Sequence, residues 1–208
     1  MPRSDFRNDH PWGQDCERVF HEMYGGRVRR TDGRKGDFVL IPGGERLELK
    51  SEAYSTSYPF ADRNKLFRRV MGIQPPPDDR GWDRSPNIAV EVWSSEFEKR
   101  GGPWQAREHG VPYYAHFFVA DGKVFVYRTD LLVAYMEKIV LRRIETDPGR
   151  WLITRDNKDG LYKRFRKQNA GYVTTGYAVP RREAAKVHCG KVRMLVPDLL
   201  GEPDIPWP

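Results

Sequence analysis

The stretch "KGDFVLIPGGERLELKSEAY", residues 35–54, sets two apolar runs on either side of a Pro-Gly-Gly turn. With Gly43 and Gly44 as the central residues of a two-residue hairpin turn, Lys50 falls opposite Asp37 and Glu48 opposite Val39. Side chains alternate between faces along a strand. Asp37, Glu48 and Lys50 therefore share one face with Val39, Ile41 and Arg46. Phe38, Leu40, Leu47 and Leu49 take the other face, the one expected to pack on a core. Directly opposed residues lie about 5 Å apart and diagonal ones about 7–8 Å, within reach of one shared Mg²⁺. A three-residue loop without a bulge would turn Asp37 to the wrong face, so the arrangement depends on register.

The chemistry that such a trio supports is specific. Mg²⁺ takes hard oxygen ligands and keeps several waters, which leaves positions for a phosphate and a nucleophilic water. The metal acidifies that water and neutralises charge growing on a phosphodiester, and a neighbouring lysine can orient or deprotonate the water or offset transition-state charge. The bare pattern of an acid, any residue and Lys occurs three times, at Glu48–Lys50, Asp121–Lys123 and Asp156–Lys158. The second sits on a hairpin turn and the third in a polar loop, where both read as solvated charges. Only the first lies inside an apolar strand with a partner acid on the preceding one. A metal site and a solvated hairpin face both remain open on the pattern alone.

Outward from the hairpin, the elements alternate. Residues 1–13 read as a polar N-terminal arm. In "GQDCERVFHEMYGG" Cys16, Val19, Phe20 and Met23 recur at helical spacing, and Gly25-Gly26 stops the helix. "RVRRT" is a short strand. "FADRNKLFRRVMG" reads as a second helix and "IQPPPDDRGWDRSP" as a Pro-rich loop. "NIAVEVWSS" is a strand, and "VPYYAHFFVADGKVFVYR" a hairpin turning at Asp121-Gly122. "TDLLVAYMEKIV" is a helix with a Thr or Asp cap. The expected fold class is α/β, a layered domain ending near residue 147.

Beyond Asp147 the composition changes. Residues 150–193 hold 12 Lys or Arg against three acids, a net of +9 where the whole chain of 208 residues carries +7. Residues 148–208 read as a basic C-terminal extension packed on the core, closing with the extended tail "PDLLGEPDIPWP". A pI near 9.4 suits a polyanionic partner. Two cysteines exclude a disulfide scaffold and a Cys-rich zinc site. No apolar run approaches the roughly 20 residues that cross a bilayer, and "MPRSDFRNDHP" has no apolar signal core. The expected setting is cytoplasmic, with no membrane partner. No phosphate-binding Gly-x-x-x-x-Gly-Lys-Ser/Thr run is present.

"QDCERVFHEMYGG", "GDFVLI" and "RLELKSE" follow one another as a helix with acids, a strand with Asp and a strand with Glu-x-Lys. In this the chain resembles the PD-(D/E)XK nuclease superfamily, and within it the archaeal Holliday-junction resolvases. The later "PNIAVEVWSS…GGPWQAREHGVPYYAHFFVADGKVFVY" resembles phage-type members. The resemblance covers roughly residues 14–140 and lies in motifs only. It implies a restriction-endonuclease-like core over 14–147, with a central mixed β-sheet flanked by helices. It also implies a Mg²⁺-dependent deoxyribonuclease (Mn²⁺ able to substitute) acting as a DNA endonuclease. Asp37 and Glu48 become metal ligands and Lys50 the catalytic lysine. Glu17 becomes the helix acid that binds a second metal or orients a water. Glu22 competes for that role; Glu17 is favoured because helix acids of this family lie near the middle or start. Gly36 stands where the motif has proline. Many relatives are dimers, because one cleft cuts one strand, so a homodimer is an implied arrangement.

Glu91, mid-strand in "IAVEVW", reads either as a half-exposed strand position or as a further acid lining the cleft. Lys163, Arg164, Arg166 and Lys167 are interleaved with Tyr162, Phe165, Tyr172 and Tyr177. With Arg181 and Arg182 they are the candidate nucleic-acid contacts, cations for phosphates and aromatics for bases. An inert basic surface with core aromatics is the plainer reading. The histidines show no zinc spacing, and Trp82, Trp93 and Trp104 read as packing residues. Two rivals stand against the nuclease: a catalytically inactive nucleic-acid-binding or packaging protein, and a basic RNA-binding protein acting through residues 150–193.

Overall fold

The computed structural model of the protein describes residues 10–33, 36–52, 87–95, 99–118, 122–169 and 172–204. The expected second helix over 60–72, the Pro-rich loop over 73–86 and Trp82 lie outside these residues.

Helix α1 spans His10–Tyr24, so it begins inside the stretch expected to be an arm. Pro11 falls in its first turn, where a missing N–H costs no helical hydrogen bond. Cys16, Val19, Phe20 and Met23 form its buried face. Strands β1 (Val28–Gly33), β2 (Gly36–Leu40) and β3 (Arg46–Glu52) follow, then β4 (Asn87–Ser95), the two-residue β5 (Lys99–Arg100) and helix α2 (Gly102–Glu108). Next come β6 (Tyr113–Phe118), β7 (Lys123–Arg128) and α3 (Thr129–Tyr135). A π-helical stretch over Met136–Leu141 carries α3 into α4 (Arg142–Thr146). The short helix α5 (Pro148–Trp151) precedes β8 (Lys163–Asn169), β9 (Tyr172–Pro180), α6 (Arg181–Ala184) and the small hairpin β10–β11 (His188–Cys189, Val192–Arg193).

Two larger sheets result. The first is mixed, in the order β1-β2-β3-β6-β7, with β3 and β6 parallel and the other neighbours antiparallel. α1 covers one face of it. Phe20 meets Phe38 and Phe117 at ring separations of 4.9 and 5.8 Å, and Leu47, Ala115 and Val126 complete that layer. The second sheet, β5-β4-β9-β8, is antiparallel throughout. Its Ile88, Val90 and Val92 share a second apolar layer with Tyr114, Phe118 and the α3 residues Leu132 and Val133. The chain is an α/β fold with a mixed central sheet flanked by helices.

Three local expectations are corrected. The hairpin turn is not Gly43-Gly44. Phe38 pairs with Leu47 and Val39 with Arg46, and Leu40 and Glu45 close a four-residue loop over Ile41–Gly44. The two-residue turn would have placed Pro42 in the ladder opposite Glu45, where it has no N–H to give. α3 has Arg128 at its N-cap with no side-chain cap bond; the Thr129 N–H instead donates to the Pro112 carbonyl at 2.9 Å. α2 forms in a stretch to which the sequence reading assigned no element, because Pro103, Trp104 and Ala106 bury one face of it. Trp104 is a packing residue, its Nε1–H donating to Glu137 Oε1 at 2.7 Å.

The chain after residue 147 is woven into the fold. β9 lies between β4 and β8, and Tyr162, Val179, Ala184 and Met194 belong to the second apolar layer. The tail folds back over α1, where Asp204 Oδ2 accepts from the Gly26 N–H at 2.8 Å and Leu200 is buried. Both Cys16 and Cys189 are free thiols. No helix among the described residues is long and apolar enough to cross a membrane.

Candidate active site

Strand pairing assembles the site. The observed register sets Asp37 directly opposite Glu48 rather than diagonal to it, which is closer than the two-residue turn allows. A four-residue loop preserves the parity of a two-residue one, so Asp37, Glu48 and Lys50 still share a face. On the next strand Glu48 is registered with Tyr114 and Lys50 with His116. The Leu49 N–H donates to Asp37 Oδ2 at 2.8 Å, tying the first acid to the strand that carries the second.

Gly36 leads into Asp37 with φ +90°. Proline is locked near −65°, so the residue absent from the motif is one that this backbone excludes. The Gly36 carbonyl accepts from Thr31 Oγ1 across the turn. The departure at position 36 is thus local to the β1–β2 connection.

The electrostatics are those of crowded acids. Burial pushes Glu48 up to about 8, with repulsion from Asp37 and Glu17 adding to it and Lys50 opposing it. Burial pushes Asp37 up to about 6. The Leu49 N–H bond and Arg30 hold it back, while Glu17 adds repulsion. Glu17 therefore acts on both acids, and it is itself held by Arg30 Nη2 at 2.5 Å. Glu22 faces away from this group. It is exposed and pairs with Arg18 at 2.9 Å along the helix.

Glu91 arrives from the other sheet. Its Oε2 lies 3.9 Å from Lys50 Nζ, with only 17% of its side chain exposed. Burial raises its pKa, and Lys50 and Lys167 lower it. The strand pairing Glu91↔Gly176↔Phe165 puts Glu91 on one face with Lys163, Phe165 and Lys167, and Arg164 and Arg166 on the opposite face. All four cations of β8 are exposed.

The remaining expected contacts scatter. Arg181 is half-buried, its guanidinium over the rings of Phe125 and Phe118 at 4.6 and 5.4 Å, whereas Arg182 is exposed. Tyr162 is fully buried and accepts from Arg143 Nη1 at 3.0 Å. Tyr177 packs against the core. Asp62, Arg63 and Lys65, which on the expected second helix could approach phosphate but read more simply as a solvated face, lie outside the described residues. Sequence reading missed the Arg30–Glu17 pair and the proximity of Lys167 to Glu91, since neither has a local signature.

Among the described residues no group of three or more His, Cys, Asp or Glu forms a ready metal cage. The donors present, two facing carboxylates with a third acid nearby, are all oxygen. That matches Mg²⁺, which is commonly held by one or two carboxylates together with waters and substrate phosphates. No known protein family, curated protein or solved structure matches the chain.

Proposed function

We propose that the protein is a Mg²⁺-dependent DNA endonuclease of the PD-(D/E)XK type, with a restriction-endonuclease-like core. The observation that carries this is the facing pair Asp37 and Glu48, joined on the same face by Lys50 and acted on by Glu17 of α1. The order of helix acid, strand Asp and strand Glu-x-Lys is the order of that family's core, and here the three elements are packed together. Both acids are driven upward chiefly by burial, Glu48 further by Asp37 and Glu17 and Asp37 further by Glu17, and such perturbed carboxyls cluster at functional sites.

Asp37 and Glu48 would hold the cation, Asp37 with its orientation set by the Leu49 N–H. Glu17 stands by for a second cation or a water. When bound, the metal supplies an acidified water and a counter-charge for the phosphate. Lys50 extends from the same face to orient or deprotonate the attacking water, or to offset charge on the phosphate. Lys163 and Lys167 would meet the backbone phosphates of the substrate.

The test uses branched, duplex and single-stranded DNA and RNA with Mg²⁺ or Mn²⁺, and compares wild type with Lys50→Ala. Cleavage of DNA is expected, lowered about 10²–10³-fold in Lys50→Ala. No cleavage of any substrate with either metal would sink the reading, and unchanged cleavage in Lys50→Ala would remove Lys50 from it.

A second reading, a catalytically inactive nucleic-acid-binding protein, is favoured by the exposed cations of β8. Both readings make a prediction there. Each phosphate neutralised contributes about 0.9 to the slope of log K against log salt. Lys163→Ala/Lys167→Ala should lower that slope for DNA by about 2. Arg164→Ala/Arg166→Ala, on the opposite face, should leave it within error, and equal losses from both pairs would mean that the face does not matter. Filter-binding titrations between low and physiological salt measure it.

A further inference from the structure

We propose that Glu91 of the second sheet is a positioning residue: held in a cradle of glycines, its carboxylate fixes the Lys50 ammonium at the site. This rests on the nuclease reading and assigns the second sheet a part in it.

A lysine on a strand has four flexible carbons and considerable rotamer entropy to lose. On β3 itself Glu48 attracts Nζ, but no β3 side chain makes an ion pair with it among the described residues. Its ion-pair partner among the described residues, Glu91 at 3.9 Å, comes from a different sheet and is far less exposed than an ordinary surface acid. Exposed ion pairs contribute little, so the question is whether the surroundings are built for this one.

Three features show that they are. β4 carries a bulge at this point, since Glu91 pairs with Gly176 but Trp93 pairs with the next residue back, Thr175; bulges re-aim side chains and cluster beside active sites. The stem of Glu91 then lies on glycine backbone. A Cβ on Gly101 would stand 2.6 Å from Glu91 Cγ and 2.7 Å from Oε1, and one on Gly176 would stand 2.9 Å from Glu91 Cα. A Cβ on Gly102 would meet Tyr114 Oη at 2.9 Å, and Tyr114 is the residue registered with Glu48. The cradle therefore touches both Glu91 and the strand beside the acid pair.

Glu91 is distinct in role from the three acids. Asp37, Glu48 and Glu17 act on one another, whereas the charges acting on Glu91 are those of Lys50 and Lys167. A carboxylate between two lysines serves to anchor them and not to hold the metal.

The experiment compares wild type, Glu91→Gln, Gly101→Ala, Lys50→Ala and Lys50→Ala/Glu91→Gln. Gly101 has φ −101° and ψ 179°, which alanine adopts freely, so Gly101→Ala displaces Glu91 without altering its charge. The first readout is the ¹³C-methyl NMR signal of reductively methylated Lys50, assigned with Lys50→Arg. The second is the single-turnover cleavage rate with KM, and the third is Mg²⁺ affinity by calorimetry. Glu91→Gln and Gly101→Ala should each move the Lys50 signal. Each should slow turnover about 10–100-fold, as a misplacement of about 1 Å does, with KM and Mg²⁺ affinity within twofold. In the Lys50→Ala background Glu91→Gln should cost nothing further. Independent, multiplying losses would overturn the proposal, as would weakened Mg²⁺ binding in Glu91→Gln or an unmoved Lys50 signal. Should wild type cleave nothing, the nuclease reading falls, and the NMR signal alone still decides whether Glu91 positions Lys50.

Discussion

Glu48→Gln is expected to abolish cleavage and, without divalent metal, to raise the melting temperature at pH 8. The loss follows from the ligand role proposed for Glu48. A bound metal contributes several kcal/mol of transition-state stabilisation, or about 10³-fold in rate. The gain follows from burial and repulsion. Burial, with Asp37 and Glu17 beside it, pushes the Glu48 carboxyl from an ordinary value of 4.5 up to about 8 in the folded chain. A carboxyl whose folded pKa is raised contributes stability that is fully present below the unfolded value. That stability is lost as pH rises from 4.5 through about 8, where the folded state must carry a charge its surroundings disfavour. Gln never takes that charge. The difference should be a few kcal/mol at most, each worth about 2–4 °C for a chain of this length, and should vanish near pH 4. Adding Mg²⁺ at pH 8 should raise the melting temperature of wild type and leave Glu48→Gln unmoved. Calorimetric scans at pH 4, 6 and 8 with EDTA or Mg²⁺ measure all of this. A destabilised Glu48→Gln at pH 8 in EDTA would show that Glu48 is a satisfied structural carboxylate.

Deleting residues 148–208 should destroy the fold and not merely DNA binding. Read as an extension, this segment invites truncation as a test of its basic residues. The structure makes that test unsound. Removal of β8 and β9 leaves β4 paired only with the two-residue β5. It also strips Tyr162, Val179, Ala184 and Met194 from the second apolar layer. Burying one large apolar side chain contributes about 1.5–3 kcal/mol, and a whole domain has only about 5–15 kcal/mol in hand. The truncated chain should show no cooperative thermal transition and should aggregate through the bared edge of β4. A sharp, reversible melt of residues 1–147 would instead establish an autonomous core. The cation replacements on β8 are the fold-neutral way to probe DNA contact.

The candidate site was legible where its geometry is local. Asp37, Glu48 and Lys50 occupy one face because alternation along a strand is set by the backbone of each residue, and an even loop of either length preserves it. The pairing itself was misread by two residues. Turn length depends on Pro42, and on the Ile41 N–H donating to the Arg27 carbonyl at 2.7 Å, a contact with the residue just before β1 that the hairpin sequence does not contain. α1 was legible from its apolar spacing, and so was its stop at Gly25-Gly26, while its start was hidden by a proline that the first turn accepts. α2 was illegible because its seven residues are too few to show a helical period.

By itself the sequence determined strands β1 to β4, β6 and β7, the face shared by the three hairpin residues, and the concentration of positive charge after residue 147. Each of these follows from neighbours in the chain. Only the tertiary structure decided which helix acid acts on the pair, Glu17 and not Glu22, and that β9 completes a sheet begun by β4. It alone set Lys163 and Lys167 on one face with Glu91, apart from Arg164 and Arg166, and brought Glu91 to Lys50. Those outcomes rest on pairing between strands remote in the chain and on glycine positions where a side chain would not fit, and neither is written in any short stretch of residues.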